Sequence, residues 1–156
     1  MNWLVGVLHD AKEDDLMTYN EEIDDVLADL LPEEKARVLL YIDQLTSDET
    51  LSKGMKKAQQ IEKMEVMDLV PCWIRIFDKY DNCRRFKLNP LDNSKEKLAG
   101  YFSIAYLCYK RACERYGEIQ KNLQPEIHEF YHQLFTEIGG LEKVVNAKNK
   151  FIEKYK

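Results

Sequence analysis

His128-Glu129-Phe130-Tyr131-His132 spells His-Glu-x-x-His on a segment with helical periodicity. Histidines at that spacing lie one turn apart on a helix, so both imidazoles can reach a single zinc ion. The glutamate between them can then take a proton from a zinc-bound water. On a helical wheel Ile127, Tyr131, Leu134, Phe135 and Ile138 make the apolar stripe, and His128 and His132 share one flank of it. Glu129 points further round, toward solvent. A third ligand would have to come from Glu142 or Glu153.

The motif resembles the zinc helix of the zincins, and that resemblance implies a zinc metallopeptidase. The chain departs from the zincin pattern just upstream. Pro125 and Glu126 stand where zincins carry uncharged residues and no proline, and no convincing strand precedes the helix to hold a peptide. Read from the residues themselves, His128 and His132 are flank residues of an ordinary amphipathic helix. No cofactor, metal ligand or catalytic residue is expected.

Glu62-x-x-Glu65-x-x-Asp68 sets three carboxylates at helical spacing, a pattern suited to Mg²⁺. It resembles one half of the metal site of all-α nucleotide pyrophosphohydrolases of the MazG type. The resemblance implies Mg²⁺-dependent hydrolysis of nucleotides, with Glu21, Glu22 and Asp25 as the second half. The plain alternative is a solvated helix face.

The charge distribution is lopsided. Residues 1–34 hold eleven acids against one base, Lys12, for a net −10, while the whole chain carries −5. Such a split speaks to partners and steering rather than to fold. Either the basic remainder packs beside the acidic segment and offsets it, or the acidic face docks on a basic partner. A candidate basic–aromatic patch for phosphate or RNA gathers Arg84, Arg85 and Lys87 around Phe86, with Lys110, Arg111 and Arg115 near Tyr109 and Tyr116. Those cations are expected to pair with the acidic segment instead, so direct nucleic-acid binding is not expected.

The elements that position these residues read as helices. Asn20 caps a helix over 20–31, with Ile23, Val26, Leu27, Leu30 and Leu31 as its stripe. Pro32 opens the next, with Val38, Tyr41, Ile42 and Leu45 inside. A third helix spans about Glu49 to Asp68, with Leu51, Met55, Ala58 and Ile61 inward. Residues 72–88 fit a helix better than a hairpin turning at Asp81-Asn82. Asn89-Pro90 and Asp92-Asn93-Ser94 form a loop. Ser94 caps a long apolar helix over about 95–117, bearing Leu98, Phe102, Ala105, Tyr109, Ala112 and Tyr116 on one face and Ile104, Leu107 and Cys108 on another. Gln124-Pro125 opens a further helix, Gly139-Gly140 ends it, and an amphipathic helix from Leu141 closes the series.

At 156 residues, 45% hydrophobic and 33% charged, the chain suits one globular core. Cys72, Cys83, Cys108 and Cys113 show no redox or metal spacing and read as free, mostly buried thiols. The apolar run at 3–8 is too short for a secretory core, and that at 98–109 too short for a membrane span. The expectation is an all-α single-domain bundle of about six to seven helices over 1–156, cytoplasmic, with an acidic N-terminal segment at 1–34. Its function is expected to be non-catalytic binding of another protein with a basic surface, through Glu21, Glu22, Asp24, Asp25, Asp29, Glu33 and Glu34. An inhibitor, immunity or antidefence protein has this size and charge. No membrane contact is expected.

Overall fold

A computed structural model describes residues 2–90 and 93–156. It is an all-α bundle of nine helices among the described residues, more than the six or seven expected. They are α1 (Asn2–Asp14), α2 (Leu16–Val26), α3 (Pro32–Leu45), α4 (Lys53–Lys63), α5 (Leu69–Leu88), α6 (Lys95–Arg115), α7 (Gly117–Asn122), α8 (Pro125–Ile138) and α9 (Leu141–Lys154). Asp92, part of the expected loop, lies outside the described residues.

α6 is the axis. Ser94 Oγ accepts from the Lys97 N–H at 3.2 Å and caps it. Ile104, Ala105, Cys108, Tyr109 and Ala112 are buried along it because α4, α5, α7, α8 and α9 all pack on it. α5 joins this group to an N-terminal layer in which α1 and α3 pack on each other and α2 lies outside, against α1. The span 72–88 is helical throughout, inside α5, with Pro71 tolerated in the first turn.

Two glycines set close approaches. A Cβ on Gly100 would meet the Phe151 ring at 2.6 Å, so α6 and α9 cross there because that position has no side chain. Gly54, at the start of α4, donates its N–H to the Tyr155 carbonyl at 2.7 Å. A Cβ on Gly54 would strike the Ile152 carbonyl.

Several expected boundaries move. The helix placed at 20–31 runs from Leu16 to Val26, with Asp15 as its cap: Asp15 Oδ1 accepts from the Thr18 N–H at 3.1 Å. Asn20 is inside the helix, and Val26 and Leu31, placed in its stripe, stand exposed. The narrow stripe Tyr19, Ile23, Leu27 does the packing. The helix expected over 49–68 is only α4. It starts after the cap Ser52, whose Oγ accepts from the Met55 N–H, and ends before Met64. Leu51 precedes it and Met55 is exposed; Gly54, Gln60 and Ile61 are its buried residues. α1 and α7 were not expected as helices at all.

Candidate functional site

The acidic residues sit together at one end of the N-terminal layer. Glu21, Glu22, Asp24 and Asp25 lie on α2, Asp29 in the turn after it, and Glu33 and Glu34 in the first turn of α3. All are exposed except Glu34, which is half-buried and accepts from the Leu31 N–H at 3.2 Å, capping α3. Among the described residues, Asp24 is the one acid of the seven with an ion-pair partner, Lys35 Nζ at 2.8 Å. Large apolar side chains stand exposed among them: Met17 is 72% exposed, Leu31 59% and Val26 51%. Between α1 and α2 lies a cavity of about 210 Å³, floored by Leu8, Tyr19 and Ile23 with Asp14, Asp15 and Glu22 at its edge.

Of the basic remainder, Lys35 is the one cation among the described residues that forms an ion pair with this face. Arg85 pairs with Asp81, Lys87 with Glu137 and Lys110 with Glu114. Arg111 reaches Glu65 at 2.9 Å and the Ile61 carbonyl at 3.0 Å. Arg115 donates to the Met67 carbonyl at 2.5 Å and the Met64 carbonyl at 3.4 Å, and the Tyr116 hydroxyl donates to Met67 at 2.9 Å. The expected basic–aromatic patch is thus divided: its α6 arginines serve as caps for the carbonyls at the end of α4.

His128 and His132 share a flank of α8, as the wheel places them, with Ile127, Tyr131 and Leu134 buried beside them. His128 is already committed. Its Nδ1 lies 2.6 Å from the Tyr109 hydroxyl and its Nε2 2.7 Å from the Gln120 carbonyl oxygen. A carbonyl only accepts, so Nε2 carries the proton and Nδ1 accepts from the phenol. That leaves no lone pair for a metal. His132 is exposed and edge-on to the Tyr109 ring.

Glu62, Glu65 and Asp68 do not share a helix face. Glu62 lies in the last turn of α4, Glu65 in the following turn, paired with Arg111, and Asp68 stands at the N-cap position of α5 without a capping hydrogen bond, its carboxylate accepting instead from the Gln44 amide at 2.8 Å. Glu21, Glu22 and Asp25 are on α2, which packs against α1, whereas α4 packs against α6 and α9. Among the described residues, no group of three or more His, Cys, Asp or Glu side chains is placed to hold a metal ion.

The four thiols are free, and three are buried. Burial pushes Cys72 and Cys83 up to about 12, which keeps them protonated and unreactive. Sequence reasoning missed the buried cations Arg75 and Lys79. Their spacing of one helical turn along α5 was the available signal, but it reads like any charged helix flank.

No protein-family model matches this chain, and neither a curated protein nor a solved structure is found to match it.

Proposed function

We propose that the chain is a non-catalytic binding protein that docks the outer face of α2, with Asp29 and Glu33, on a basic surface of another protein. The observation that carries this reading is the placement of Asp24 and Asp25. They occupy the last turn of α2, which contains no basic residue. The helix dipole disfavours carboxylates there, by roughly 0.3–1 kcal/mol each. Glu21 and Glu22 stand one turn earlier and add like-charge repulsion. Acids held at such a cost, beside exposed Met17 and Val26, match the anatomy of a docking surface: apolar anchors ringed by charge. Inhibition of a nucleic-acid-binding enzyme, whose active surface is basic, is the use that suits it best.

The test is the triple substitution Asp24→Asn, Asp25→Asn, Asp29→Asn. Stability should stay level or rise slightly, since one exposed pair with Lys35 contributes only about 0–1 kcal/mol. A partner recovered from native cells and then purified should bind the variant at least about tenfold more weakly. Its affinity for the unmodified chain should fall with salt. A clearly destabilised variant that binds its partner as before would make these acids internal counter-charges and place the interface elsewhere.

A further inference from the structure

Where α4, α5 and α6 meet, two lysines face one neutral acceptor. Lys79 is only 8% exposed, and its Nζ donates to Gln60 Oε1 at 2.8 Å. Lys57 Nζ reaches the same oxygen at 3.5 Å. Gln60 is itself buried, with its amide nitrogen turned to Ser47 Oγ at 3.2 Å. One turn before Lys79, Arg75 is 2% exposed; it donates to the Leu45 carbonyl, and its Nε has no partner. Among the described residues none of these three cations makes an ion pair. Asp78 is the nearby acid, and it holds the Asn82 amide at 2.8 Å. Burial, together with the charges of Lys79 and Arg75, pushes Lys57 down to about 7.

Lys57 and Lys79 open on a cavity of about 220 Å³ whose described lining contains no carboxylate. Phe86 and Tyr101 form its wall, their rings 5.1 Å apart. Lys57 and Tyr101 also line a larger outer cleft of about 600 Å³, which adds Lys53 and Lys56, with Glu13, Asp14 and Glu49 there as well. Around the Tyr101 ring the ammonium groups of Lys53, Lys57 and Lys97 stand at 5.5, 5.9 and 6.0 Å.

Cations buried without counter-ions are costly, and an anion bound between them removes much of that cost. Charge-assisted hydrogen bonds from two ammonium groups suit a compact oxyanion. The inner cavity is smaller than the roughly 300–1,000 Å³ of a pocket for a whole organic ligand. We propose that this inner cavity binds a phosphoryl group, with Lys57 and Lys79 supplying the charge and Tyr101 and Phe86 the wall. The group is either inorganic phosphate or the terminal phosphate of an ester whose body occupies the outer cleft.

Thermal unfolding and calorimetry of the full chain test this, with inorganic phosphate and with phenyl phosphate, against chloride at equal ionic strength. The pH should be about 6.5, where Lys57 is largely protonated beside Lys79, Arg75 and Asp78. Saturable binding is expected, weakened at least about tenfold by Lys79→Met and by Lys57→Met. Lys57→Met should unfold at or above the temperature of the unmodified chain in phosphate-free buffer, because it removes an ammonium that burial and its cationic neighbours disfavour; Lys79→Met also strips buried Gln60 Oε1 of its 2.8 Å donor and should unfold somewhat lower. Tighter binding of phenyl phosphate would identify an ester as the ligand; equal binding would identify the free ion. No saturable response beyond chloride in the unmodified chain overturns the proposal. So does an undiminished response in whichever of the two variants folds.

Discussion

The Tyr109 hydroxyl donates to His128 Nδ1 across 2.6 Å, joining the central helix to the flank of α8. Tyr109 is buried, so this bond satisfies a phenol that has little access to water. Burial also holds the phenol well above its usual range, which keeps it a donor.

His128→Ala should therefore destabilise the fold by about 1–3 kcal/mol, because it strands the Tyr109 hydroxyl, while the exposed Gln120 carbonyl turns to water. His132→Ala, at an exposed position, should cost under about 0.5 kcal/mol. Urea unfolding of both variants measures the difference. Purified protein should carry no stoichiometric zinc and keep its unfolding temperature in chelator. Equal losses from both substitutions, with one zinc per chain, would restore the metal reading.

Arg115→Ala should cost about 1–3 kcal/mol, since it uncaps the Met64 carbonyl just past α4 and leaves the Met67 carbonyl to the Tyr116 hydroxyl. Arg115→Lys should restore only part of this, because an ammonium cannot reproduce the planar fork of a guanidinium. Arg84→Ala is the control: Arg84 is exposed over the Tyr80 ring and should be near neutral. Chemical denaturation of the three proteins ranks them.

Glycine-to-alanine changes inside exposed helices usually stabilise by up to about 1 kcal/mol. At Gly54 and Gly100 the sign should reverse. At Gly54 the new methyl meets backbone, and at Gly100 it meets the base of the Phe151 side chain as well as its ring. Losses of about 1–3 kcal/mol are expected for each. Gly117, with nothing near its missing Cβ, should tolerate alanine without loss.

Stability should depend on pH through Lys57. In the folded chain its value falls from the ordinary 10.5 to about 7. Between those two values the unfolded chain holds a proton that the folded chain has shed, so stability rises with pH across that window. The penalty is complete below about 7 and gone above about 10.5. The slope is at most one proton's worth, about 1.4 kcal/mol per pH unit. Arg75, Lys79 and Asp78 also act on this amine, and Lys57→Met removes its contribution whatever they do. Unfolding free energies of the two proteins from pH 6 to 10 give the difference directly. A slope that survives in Lys57→Met would assign it to another group.

Elements with local punctuation were readable from the sequence. Ser94 fixes the start of α6, Pro125 and Gly139 bracket α8, and the buried Ile127, Tyr131 and Leu134 follow from spacing alone. Pro32 begins α3 where expected. Errors came where the deciding partner is distant in the chain. α4 looks able to continue to Asp68, but donors from Arg111 and Arg115 meet the Ile61 and Met64 carbonyls at its end, and Tyr116 holds the Met67 carbonyl before α5. Asn20 looks as good a cap as Asp15; only the Thr18 contacts, from both its N–H and its hydroxyl, distinguish them. The acids were legible as a cluster, yet the position of Asp24 and Asp25 in the last turn of α2 was not, because the helix ends at Val26 although the apolar spacing continues through Leu30 and Leu31. The cationic cavity was invisible because Lys57, Gln60, Lys79 and Tyr101 come from three helices.

The bond from Gly54 to Tyr155 links positions about a hundred residues apart, a separation that makes loop closure a late event in folding. During synthesis, α4 and the Gly100 face of α6 leave the ribosome before the α9 residues that cover them exist. For that interval the nascent chain carries an open groove where Phe151 belongs. A chain stalled before α9 should thus be a chaperone client or a protease substrate, while one that carries α9 is neither.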